Sequence, residues 1–328
     1  MSLTSCLKDP HSPISQFLST ELPAMPALIG HYRAQLPMRP DTARPQDPGP
    51  FSYRSLGQAI DLRLRIAFGT PIGSPLTAGI LLTARSMGDS VSLEAALAVA
   101  DTGQALLGQL KAQPAATPGA MLREPSTEEQ VARLCFVAAW FEEVYRQGLN
   151  PGNPLLHGDL ARRLEGMLEQ VPHYVPGDIA QMAALADRPG ALQCILELGE
   201  ADRVCGPTFA GSHHVGGADA DYIAGGHLID CKATIHPQRL GRAELYQLAG
   251  YLLLDYDDVY GIDRVGLYLA RQGRLVDWEV AEFLALLGAR RSLPELRAAC
   301  RDALTSDRPA WRLPEPRRST FEQDSLFG

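Results

Sequence analysis

Three aspartates and a lysine, Asp219, Asp221, Asp230 and Lys232, stand at spacings that could hold a divalent cation. They lie in the stretch GADADYIAGGHLIDCK (217–232), where two strand-like runs flank Gly225-Gly226. Glycine tolerates the positive φ of a two-residue hairpin loop, so the dipeptide predicts a tight turn. With that loop, Ala224 faces His227, Ile223 faces Leu228 and Asp221 faces Asp230. Side chains alternate along a strand, so Asp219, Asp221, Asp230 and Lys232 share one face, while Cys231 points into the core. Like charges opposite one another destabilise a sheet. A cation between them relieves the repulsion, and hard oxygen ligands suit Mg²⁺ or Mn²⁺. The plainer alternative is a solvated strand face with a surface ion pair. The cation-centred arrangement suits phosphodiester hydrolysis: the metal stabilises charge at the phosphate and acidifies a bound water. The lysine then orients that water or neutralises charge on the phosphate.

The elements that must position these residues divide the chain. With 328 residues it can hold one large domain or two small ones. Residues 1–50 are rich in proline and predict a loosely ordered leader with one short helix near 15–21. Residues 51–177 predict a helical module, with helices over 55–68, 92–110, 126–147 and 159–171. Ser92 is a candidate cap, and Ser126-Thr127-Glu128-Glu129 a candidate capping box. Over 178–305 the texture becomes mixed. Short helices are expected at 179–186 and 191–198, and strands at 204–209, 215–224 and 227–233. A helix over 239–254 follows, then a second hairpin (264–270 and 274–278), and helices over 280–289 and 294–305. Residues 306–328 form a polar tail expected to be flexible. The fold class expected is α/β, of mixed α+β character.

The net charge of −8 argues against coating nucleic acid by bulk electrostatics but leaves room for a local basic groove. The six cysteines form no CxxC pair and no zinc spacing, which suits a reducing cytoplasm. No apolar run approaches the ~20 residues of a membrane span. A cytoplasmic protein with no membrane partner is expected.

The order strand with Asp, turn, strand with Asp-Cys-Lys, then helix resembles the PD-(D/E)XK nuclease superfamily. Asp221 fits its first acidic position, with Asp219 a rival, and Asp230-Cys231-Lys232 fits (D/E)xK; Ala220 stands where the family proline would be. Gln247 and Tyr251, four apart and so on one helix face, are similar to the QxxxY motif of the RecB-type branch. The resemblance covers about residues 190–290. It implies a central mixed sheet flanked by helices, a Mg²⁺ or Mn²⁺ cofactor, and site roles for Asp221, Asp230, Lys232, Gln247 and Tyr251. That branch also implies an acidic or histidine ligand from upstream; candidates are Glu142, Glu143, Glu197, Glu200, His213 and His214. No four-cysteine arrangement is present, so no iron–sulfur cluster is expected. Arg239 and Arg242, at the start of the QxxxY helix, are candidates for phosphate contact.

The terminal Gln323-Asp324-Ser325-Leu326-Phe327 resembles a bacterial sliding-clamp-binding peptide, in which Gln323, Leu326 and Phe327 would make the contacts. The function expected is a metal-dependent DNA nuclease recruited by a clamp or another subunit, in repair, recombination or antiviral defence. The alternatives are a catalytically inactive adaptor of the same fold and a nuclease acting on RNA.

Overall fold

Over residues 3–34 the leader is not loose. In the computed structural model, which describes residues 2–38, 41–46, 52–70, 72–150, 152–156 and 163–306, it forms α1 (Leu3–Lys8), α2 (Pro13–Glu21) and α3 (Met25–Ala34). Proline does not prevent this: Pro13 and Pro26 sit in the first turns of α2 and α3, where no intrahelical donor is needed. Leu3, Ile14, Leu18, Leu22, Leu28 and Tyr32 are buried, so these helices belong to the core.

The helical half follows: α4 (Tyr53–Ala67), α5 (Ser74–Ser90), α6 (Leu93–Lys111), α7 (Pro125–Gln147), α8 (Leu164–Glu169), α9 (Tyr174–Ala186) and α10 (Gln193–Glu197). Ser92 caps α6 as expected, accepting from the Ala95 amide. The capping box expected on α7 does not form. Glu124 accepts from the Ser126 amide instead, and Glu128 turns inward to bind Arg63 through two 2.7 Å bonds. A buried guanidinium without a carboxylate is far more costly than a missing cap bond. No helix was expected over α5. Its Leu76 and Ile80 are buried, and its Gly79 crosses α7 so closely that a Cβ would lie 2.0 Å from the Phe141 carbonyl oxygen.

The sheet comes from the last third. Its strands are β1 (Arg203–Cys205), β2 (Tyr222–Ala224), β3 (His227–Lys232), β4 (Arg264–Leu269) and β5 (Arg274–Glu279), and they lie in that order. Gly225 and Gly226 have φ of 55° and 80°, and the β2–β3 register is the expected one, Ala224 opposite His227 and Ile223 opposite Leu228. β3 and β4 are parallel; the other pairs are antiparallel. A parallel step needs a crossover, and α11 (Arg242–Leu254) supplies it. α12 (Val280–Leu286) and α13 (Leu293–Thr305) complete the described chain.

The mixed sheet separates two apolar cores. Tyr222, Ala224, Ile229 and Tyr268 pack with the helical half. Ile223, Leu228, Val265, Leu267 and Trp278 pack with the leader, α11, α12 and α13. No described helix is long and apolar enough to cross a membrane. A buried ion pair ties the helical half to the β4–β5 turn: Arg271 donates to both Asp178 oxygens at 2.7 Å and to the Ala233 and Ala43 carbonyls. Removing one partner strands a charge, so Asp178→Ala should lower unfolding free energy by about 3–5 kcal/mol in a urea titration.

Candidate active site

The site forms where β2 and β3 part company. Backbone pairing ends at Tyr222 opposite Ile229, one residue short of Asp221 and Asp230. Beyond it the Cys231 amide donates to Asp221 Oδ2 at 2.6 Å, so a side-chain carboxylate continues the ladder. The Asp221 carbonyl meanwhile accepts from the Gly206 amide. Asp221 is thereby held from both sides, with Oδ1 turned toward Arg65 Nη2 at 3.8 Å.

Alternation on β3 sends Asp230 and Lys232 toward α11, and Cys231 toward the helical half, where it packs against that core. Lys232 Nζ pairs with Asp230 Oδ2 at 2.5 Å and donates to Gln247 Oε1 at 3.0 Å. Gln247 Nε2 donates to the Tyr251 hydroxyl at 2.6 Å. Tyr251 is buried and stacks on Phe209. The structure therefore joins Asp230, Lys232, Gln247 and Tyr251 in one bonded chain. Asp219 is half-buried, bridged through its backbone to Thr208.

Electrostatics follow from burial. Asp230 is 2% exposed. Desolvation raises its pKa, and Lys232 only partly offsets this. Desolvation also raises the pKa of Asp221 well above the usual carboxylate range, reinforced by Asp61 and Asp230 and opposed by Arg65 and Lys232. Burial works against the Lys232 ammonium, but Asp230 and Asp221 outweigh it and its pKa rises.

The helical half supplies residues that the sequence did not single out for the site. Asp61 on α4 accepts from the Tyr222 hydroxyl at 2.7 Å and pairs with Arg65 at 2.9 Å. The available signal was charge at buried positions of an apolar helix: Arg65 lies in α4's inward stripe. Of the neighbouring candidates Glu142 and Glu143 on α7, Glu142 is buried and Glu143 is half-buried. Burial lifts the Glu142 pKa to about 7, against the pull of Arg146 and Arg65 and with the push of Asp61 and Asp219.

The other candidates lie elsewhere or do other work. Glu197 and Glu200 are exposed. The His213 and His214 rings pack together, and His214 Nδ1 meets the Tyr256 hydroxyl at 3.1 Å. Arg239 is exposed, while Arg242 covers the Tyr246 ring and donates to Ser19. Gln323, Leu326 and Phe327 lie outside the described residues.

No family model, curated protein or solved structure matches this chain. Among the described residues, no three His, Cys, Asp or Glu side chains form a ready-made metal cage. The donor set nevertheless suits a divalent cation. Asp230 is buried and Asp221 half-buried, the charge of Asp230 adds to the cost of ionising Asp221, and a hard cation relieves both.

Glu142 makes a pH prediction. Between its ordinary value of 4.5 and its native value of about 7, the native state holds the extra proton, so native stability falls as pH rises through that window. Glu142→Gln removes this dependence. Without divalent ions, its stability relative to wild type should rise by up to about 3 kcal/mol between pH 4.5 and 8 in urea titrations. A constant difference across that range would contradict the assigned burial.

Proposed function

We propose that the chain is a divalent-metal-dependent nuclease that hydrolyses DNA phosphodiester bonds. The observation that carries this reading is the bonded chain Asp230–Lys232–Gln247–Tyr251 beside Asp221. It supports the PD-(D/E)XK-like assignment by putting both sequence motifs in one site. Asp221 and Asp230 would hold Mg²⁺ or Mn²⁺, with Asp219 and the buried Glu142 as further acidic donors. When bound, the ion supplies positive charge at the scissile phosphate and acidifies water.

The chain's own residues do the rest. The Cys231 amide and Arg65 fix the orientation of Asp221. An ammonium has three donors. Gln247 accepts from the ammonium of Lys232, which is also ion-paired with Asp230, and donor capacity remains for a water or a phosphate oxygen. Gln247 is aimed by Tyr251, whose hydroxyl is anchored on a ring stacked against Phe209. Lys232 is thus a presented cation rather than a mobile one.

The net charge of −8 suits recruitment better than independent DNA binding. The tail residues Gln323, Leu326 and Phe327 are proposed as the tether to a sliding clamp. Replacing Leu326 and Phe327 by alanine should abolish clamp binding in a direct titration while leaving cleavage of free DNA unchanged.

The decisive assay uses single- and double-stranded DNA and RNA side by side with Mg²⁺ or Mn²⁺. Wild type should cut DNA, and chelation should stop it. Asp221→Asn and Lys232→Ala should each lower the rate by about 10²-fold or more. Cleavage of RNA alone would redirect the substrate. No cleavage with either metal would favour a non-catalytic adaptor.

A further inference from the structure

We propose that Arg65, reaching in from α4 of the helical half, is a positioning residue that fixes the Asp221 carboxylate in the site. It is held for this task by Asp61 and seated in a notch left by Gly206. The inference rests on the reading of Asp221 as a cation ligand for its purpose, but its geometry stands independently.

Three observations carry it. First, Arg65 is a cation shared between acids. Its Nε bonds Asp61 Oδ2 at 2.9 Å, and its Nη2 lies 3.8 Å from Asp221 Oδ1. The side chain is only 9% exposed, so its charge is weakly screened. Second, the assembly is registered to the strand. Asp61 Oδ1 accepts from the hydroxyl of Tyr222, the residue next to Asp221, so α4 and β2 are locked together at this point. Third, space for the guanidinium is built in. Gly206 has φ of 61°, and a Cβ there would lie 2.7 Å from Arg65 Nη1. The same Gly206 donates its amide to the Asp221 carbonyl. One glycine thus holds the backbone of Asp221 and makes room for the cation that faces its side chain.

Charge arithmetic gives the arrangement its purpose. Asp61, Glu142 and Asp221 each interact electrostatically with Arg65. On the α11 side Lys232 answers Asp230. On the α4 side Arg65 is the buried cation facing these acids. Without it, Asp221 would turn away from the remaining carboxylates, and its bond to the Cys231 amide would loosen.

That amide is the reporter. In the metal-free full chain, amide hydrogen exchange by NMR should show Cys231 exchanging at least tenfold faster in Arg65→Met, with Leu228 and Ile223 unchanged as a check on the fold. Gly206→Ala keeps the charge but crowds the guanidinium. It also strains a left-handed backbone position, so it should speed Cys231 exchange in the wild-type background and have a clearly smaller effect in the Arg65→Met background. Unchanged Cys231 exchange in Arg65→Met would overturn the inference. So would additive effects of the two substitutions, which would assign the glycine effect to the backbone alone. Cleavage with Mg²⁺, measured on the same proteins, separates the two levels. Faster Cys231 exchange with an inactive wild type supports the positioning role and defeats the nuclease reading. Active wild type with unchanged Cys231 exchange in Arg65→Met leaves the nuclease reading intact and defeats this one.

Discussion

Two carboxylates, Asp230 fully and Asp221 largely, are taken out of water at the point where β2 and β3 separate. Most of the surrounding structure answers the cost of that burial. Ionised carboxylates in an apolar interior need partners at hydrogen-bond distance or opposite charge close by. Asp221 and Asp230 receive both, but from opposite sides of the sheet. Asp230 is answered by Lys232 on its own strand, facing α11. Asp221 is answered by the Cys231 amide in the plane of the sheet and by Arg65 from α4. A site built in this way needs both flanking layers. The helical half therefore reaches these carboxylates through Arg65, with Asp61 and Glu142 close behind it.

The layer on the other face is equally committed. The helix bearing Gln247 and Tyr251 is braced by the leader at several points. Leu3 lies against Gly250 so closely that a Cβ would fall 2.9 Å from its methyl group. The Leu3 amide donates to the Gly217 carbonyl, two residues before Asp219. Tyr246 donates to the Leu22 carbonyl, and Tyr32 to the Pro237 carbonyl. Gln247 also reaches Thr4 on α1 at 3.5 Å. The first helices of the chain thus tie the end of β3, the Asp219 segment and α11 into one frame. A rigid frame keeps Lys232 presented, because a flexible ammonium would lose entropy each time it was aimed.

The hairpin was legible from its residues because its determinants are local. Two glycines dictate the turn, the turn dictates the register, and alternation places Asp230 and Lys232 on one face. The pairing of Gln247 with Tyr251 was legible for the same reason, since a four-residue spacing fixes a helix face. What escaped depends on contacts between distant segments. Arg65 and Asp61 look like ordinary helix residues until α4 is laid on β2. Glu128 looks like half of a capping box until Arg63 requires it. Glu142 and Glu143 are indistinguishable by type, and only the packing of α7 decides which is buried. The leader appeared loose because prolines obscured a periodicity that becomes meaningful only against α11. The span expected as a strand over 215–224 shortens to Tyr222–Ala224, because Val215 closes a 3-10 turn, Gly216 and Gly217 take positive φ, and Asp221 gives its side chain to the ladder.

The proposed nuclease requires Asp221 and Asp230 together to hold a divalent cation. The most direct measurement is a titration of the full chain with Mn²⁺, followed by electron paramagnetic resonance of the free ion, in wild type and in Asp221→Asn and Asp230→Asn. The expected result is saturable binding in wild type that is lost in both variants while their circular dichroism is unchanged. Binding that persists undiminished in both variants, or no binding in wild type, would contradict it.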